Sequence, residues 1–88
     1  MENLYITLIE CDNTDAPNIG TIHGITDEVL KLKAIKSLES HFDSEVISLK
    51  IEDGLNFTDI RNSPPLDGFV ELSDGYEARI ELQQTFFY

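Results

Sequence analysis

The side chains in this sequence that could act as nucleophile, base or metal ligand are few: Cys11, His23, His41, the run "DNTD" from Asp12 to Asp15, and the pair Glu52–Asp53. A catalytic cysteine needs its thiolate, which a cation or a helix N-terminus stabilises. Cys11 follows a strand-like run with no helix directly after it, so neither aid is supplied locally. His23 and His41 lie eighteen residues apart with no cysteine pair between them, which is not zinc-site spacing. "DNTD" offers oxygens but lacks both the glycine and the closing acid of a calcium loop. Gly20 and Gly24 precede no lysine–hydroxyl pair of the phosphate-loop kind. Glu52–Asp53 stands where a strand meets a turn and reads as solvated. No catalytic, cofactor-binding or metal set is assigned, and the chain reads as a protein that is not an enzyme.

The acids that do no obvious chemistry are nonetheless the outstanding feature. Seventeen Asp and Glu stand against six Lys and Arg, a formal net charge of −11 over 88 residues. Such a chain repels nucleic acid and anionic lipid and attracts basic surfaces. The predicted helix carries Lys31, Lys33 and Lys36 against Asp27, Glu28 and Glu39, so the excess charge belongs to strands and loops. The length suits one domain, residues 1–88. The opening "MENLYITLIE" has neither a basic region nor a cleavage site, and no long apolar run follows. The single cysteine points to a reducing, cytoplasmic setting.

The elements that must position these groups follow from periodicity. "NLYITLIEC" alternates Leu4, Ile6 and Leu8 with Tyr5, Thr7 and Ile9, a strand partly covered on both faces. "IGTIHG" is read as a short extended piece. "ITDEVLKLKAIKSLESHF" is the helix: Thr26 as N-cap, Asp27 and Glu28 in the first turn, Ile25 stapled to Leu30. Its stripe is Leu30, Ala34, Ile35, Leu38 and Phe42, with Lys31 reaching back to Asp27 or Glu28. "EVISLKIED" alternates Ile47, Leu49 and Ile51 inward with Val46, Ser48 and Lys50 outward. Pro64 and Pro65 exclude a central strand in the next loop, which Phe57 and Ile60 tuck onto the body.

"VELSDGYEARIEL", Val70 to Leu82, is a hairpin whose register the side chains decide. A two-residue Asp74–Gly75 turn would put apolar and charged residues on one face. A three-residue loop, Ser73–Asp74–Gly75 with Gly75 left-handed, pairs Leu72 with Tyr76 and Val70 with Ala78. Glu71 then faces Glu77 on the outer face, Glu81 lies further along, and Arg79 is opposite Phe69. Asp67 and Asp74 sit at the rim of this patch. The last stretch, "QQTFFY", continues the strand, with its aromatics closing the end of the core.

These elements predict an α+β domain in the order β-α-β-β-β. It would be a mostly antiparallel four-stranded sheet with one helix on one face, the first two strands parallel across the helix. The functional expectation is a non-catalytic acidic module that meets a basic surface of a partner protein through Glu71, Glu77, Glu81, Asp67 and Asp74. A nucleic-acid enzyme is one such partner. In size, acidity and want of catalytic groups the whole chain resembles the small inhibitor, immunity and anti-defence proteins of phages and mobile elements, some of which mimic DNA. That likeness is of composition, and it transfers no site residues. The alternative reading is a homodimer built on Phe86, Phe87 and Tyr88, with the acidity serving solubility alone.

Overall fold

Every second residue of the first strand is buried, and the same rhythm recurs along the last two. This alternation assembles one apolar sheet face. The computed structural model describes residues 3–11, 15, 17–62 and 65–86. It contains β1 (Leu4–Glu10), β2 (Asn18–Gly24), α1 (Asp27–Phe42), β3 (Val46–Ile51), β4 (Leu66–Leu72) and β5 (Glu77–Gln84). The five strands form one sheet in the order β2-β1-β5-β4-β3, with every neighbouring pair antiparallel. Two layers thus enclose one core. Leu30, Ala34 and Leu38 of α1 cover part of the sheet, and Phe57 and Ile60, from a 3-10 turn at Phe57–Arg61, join the same core.

The helix begins at the N-cap its sequence predicts. The Thr26 hydroxyl accepts from the Val29 N–H at 3.3 Å, and Asp43 closes the C-terminus in the left-handed region at φ 51°. Helix and sheet lie close together at Gly24, where a Cβ would fall 2.8 Å from Val29 Cγ1. Lys31 does not find Asp27 as expected. The Asp27 carboxylate accepts from the Phe57 N–H at 2.6 Å and ties the loop to the helix, while Lys31 stays exposed. Ile25, expected to staple onto Leu30, is exposed as well.

Three further expectations are corrected. The sheet has five strands: "IGTIHG" lies in a full edge strand, Asn18–Gly24, paired with β1. Two glycines and only two isoleucines give that strand a weak signal of its own, and it forms because β1 and α1 flank it. Because β2 is a hairpin return, the helix links β2 to β3, and these two run parallel at opposite edges. β1 and β3 therefore run antiparallel. Finally, Ile47 is 62% exposed while Val46 packs on the core. The β3–β4 register slips between Val46 and Ser48, so Ile47 is the extra residue of a bulge and turns outward.

The hairpin register follows the side-chain argument. Val70 pairs with Ala78 and Glu71 with Glu77, the Leu72 N–H donates to Tyr76 O at 2.9 Å, and Gly75 has φ 90°. β5 ends at Gln84, and Thr85 adds one more bond, its N–H donating to Tyr5 O at 2.8 Å. Phe86 is exposed, so it does not close the core. Phe87 and Tyr88 lie outside the described residues.

Candidate interaction surface

Strand order and strand direction together decide where the loops go. The β1–β2, α1–β3 and β4–β5 connections all emerge at one end of the sheet. The α1–β3 and β4–β5 turns also touch: Ser73 N–H donates to Glu45 O at 2.8 Å, and the Ser44 and Ser73 hydroxyls are 3.2 Å apart. Their contact gathers Asp43 and Glu45 from one turn with Glu71, Asp74 and Glu77 from the hairpin. Residues 41–48 and 71–77 contain no Lys or Arg. The C-terminus of α1, the negative end of its dipole, points to the same end. Tyr76, 46% exposed with its ring 5.8 Å from that of Phe42, and the bulged Ile47 supply apolar surface beside the acids.

The Leu72–Tyr76 bond fixes the parity of the β4–β5 ladder. Glu71 and Glu77 then form a non-hydrogen-bonded pair, the kind whose Cα atoms approach to about 4.5 Å. Asp74 caps the turn, its Oδ1 accepting from the Tyr76 N–H at 2.9 Å. The predicted set therefore divides. Glu71, Glu77 and Asp74 come together at the loop end. Asp67 and Glu81 face each other four residues further along, roughly 14 Å away at about 3.4 Å per residue.

Between the two acidic rungs lies a cationic one, with Phe69 paired to Arg79 on one side and to Lys50 on the other. A shallow groove of about 460 Å³ runs here, lined by Glu71 and Glu77 on one side and Lys50 and Arg79 on the other, with Phe69 half exposed between them. Among the described residues the outer face is thus striped, acidic at its loop end and again at the Asp67–Glu81 rung, with the cationic rung between them. Asp43 and Glu45 were missed in the sequence. Nothing local marks them; only the β3–β4 pairing brings their turn beside the hairpin.

Many of the remaining carboxylates are tied to the backbone. Asp27 accepts from Phe57 N–H, Glu39 from Val46 N–H, Glu52 from Asp67 N–H and Asp59 from Asn56 N–H, as Asp74 does from Tyr76. Part of the acidity is therefore loop-fixing. Glu10, 7% exposed, ends the buried row of β1 with Oε2 3.4 Å from His41 Nε2. His41 is thereby turned toward Glu10, while the His23 ring lies tilted against that of Tyr5, the centroids 5.4 Å apart. Cys11 pairs by backbone with Arg79, donating its N–H to Arg79 O at 2.9 Å. Among the described residues no three His, Cys, Asp or Glu side chains converge as metal ligands, and no helix is long and apolar enough to cross a membrane. Comparison with protein-family models, curated proteins and solved structures finds no match to this chain.

Proposed function

We propose that this chain is a non-catalytic acidic interaction module that occupies a basic surface on another protein, leading with the loop end of its sheet. The observation that carries this reading is the meeting of Asp43, Glu45, Glu71, Asp74 and Glu77 at one end without a lysine or arginine among them, beside an exposed tyrosine. Carboxylates at such an end steer encounter, and tyrosine is a residue type that often anchors binding. Glu71 and Glu77 also face each other at a modest cost to the sheet. A basic surface made for phosphates is one fitting target, and occupying it would exclude nucleic acid. The role would then be inhibitory, acting in the cytoplasm.

The test is affinity capture from the native host with two baits in parallel, the unaltered chain and the Glu71→Lys, Glu77→Lys variant. A basic protein retained by the first, released by salt and not retained by the second, is the expected result. Equal retention by both baits would remove this surface from consideration. The rival reading, a homodimer with acidity for solubility, draws on the exposed Phe86 and the carboxylates already tied to backbone. A dimer in sedimentation, with nothing captured, would select it.

A further inference from the structure

The sheet has a second feature that the acidic end does not use. β3 is an edge strand, paired on one side only, with β4. The Leu72 N–H donates to Tyr76 O, so the even residues of β4 aim their backbone groups at β5. The odd ones, Phe69 and Glu71, aim at β3 and meet Lys50 and Ser48. Leu49 and Ile51 therefore direct their N–H and C=O groups away from β4, to the open side. Their side chains are buried in the core, so the strand is held while its edge stays presented.

That edge borders a cleft of about 310 Å³. Its walls are Leu49 to Ile51 of β3, the loop from Gly54 to Phe57, and the first turns of α1 with Asp27 and Lys31. Lys50 lines it too, so two of the six basic residues of a strongly acidic chain meet here. Among the described lining residues the carboxylate facing them is that of Asp27, which accepts from the Phe57 N–H at 2.6 Å. The cleft thus combines strand-pairing groups along one wall with two lysines among its lining residues.

We infer that the free edge of β3 is a docking site for an extended peptide segment of a partner that carries a carboxylate side chain. The segment adds a sixth strand, exchanging backbone hydrogen bonds with Leu49 and Ile51. Its acidic side chain reaches Lys31 and Lys50 in the cleft. The bulge at Ile47 ends the pairing on one side, and the left-handed turn at Asp53 and Gly54, φ 57° and 69°, ends it on the other. The strand added is therefore short. This site is separate from the acidic end, and its test leaves Glu71 and Glu77 untouched.

The experiment is selection of a displayed random heptapeptide library on the full chain, followed by amide hydrogen exchange of the labelled protein with the enriched peptides. Enriched sequences should carry Asp or Glu and protect the Leu49 and Ile51 amides. Their affinity should fall at least ten-fold in Lys31→Glu and stay unchanged in Lys33→Glu, whose wild-type Nζ lies instead on His23 O at 2.6 Å. Repeating the selection on Lys31→Glu should turn the preference toward Lys and Arg. No enrichment, enriched peptides without carboxylates, or protection confined to other strands would overturn the inference. So would protection of the same amides that rises with protein concentration alone, which would make the occupant a second copy.

Discussion

Glu71 and Glu77 stand directly opposite each other on the outer face of β4 and β5, one rung before the Leu72–Tyr76 pair that closes the hairpin. Both are exposed, and no lysine or arginine lies between them and the turn. Reversing both to lysine should therefore leave folding intact, with thermal stability unchanged or raised by some tenths of a kcal/mol as repulsion disperses. Association with a captured basic partner should slow about ten-fold or more at low salt and less at high salt. Stopped-flow rates over a salt series check this. An unchanged rate with unchanged salt dependence would assign these carboxylates to solubility.

Gly75 sits at φ 90° with no atom within 4 Å of where a Cβ would stand. The cost of Gly75→Ala is then backbone strain alone, on the order of 1 kcal/mol, with no steric part. Urea unfolding should show a lower midpoint with the same slope. A neutral substitution would mean that the turn relaxes to another type.

Leu38 of α1 is fully buried against the sheet, whereas Ile47 projects from the bulge into solvent. Leu38→Ala should cost roughly 2–5 kcal/mol, a large share of the stability of so small a domain. Ile47→Thr should stay within about 0.5 kcal/mol, as surface changes usually do. Comparable losses for both would restore Ile47 to the core and remove the bulge.

Asp27 works at both ends of its side chain's reach, in the first turn of α1 and on the Phe57 N–H. Asp27→Ala should cost about 1.5–3 kcal/mol, as hydrogen bonds to charged groups do. It should also raise the hydrogen-exchange rate of the Phe57 amide by more than the global loss explains. Uniform acceleration across α1 would show that the loop bond is incidental.

The helix and hairpin were legible because each is specified locally. Thr26, the stripe from Leu30 to Phe42, and the choice between two turn lengths around Asp74–Gly75 need no knowledge of the rest of the chain. β2 and the turn of Ile47 were not legible for the opposite reason. Asn18–Gly24 becomes a strand through its partners, and Ile47 turns outward because the β3–β4 ladder carries one residue too many. The same limit governs the candidate surface. Glu71, Glu77 and Asp74 sit on one hairpin and were found together. Asp43 and Glu45 join them only across a tertiary contact, and Asp67 and Glu81 fall behind the Phe69–Arg79 rung, which alternation alone does not weigh.

The position of β5 between β1 and β4 has a consequence for how the molecule comes into being. The strand made last is the one that joins the two halves of the sheet. Until residues 77–84 are available, the chain holds a β1–β2 hairpin and a β3–β4 hairpin with nothing between them. Each leaves open the side that faces β5 in the finished sheet. Pairings such as Ile6 with Gln84 and Glu10 with Ile80 span most of the sequence, which favours slow, late closure. A polypeptide stopped short of Glu77 would keep its helix-forming segment and lose its seam, exposing two apolar strand edges to any neighbour able to fill them.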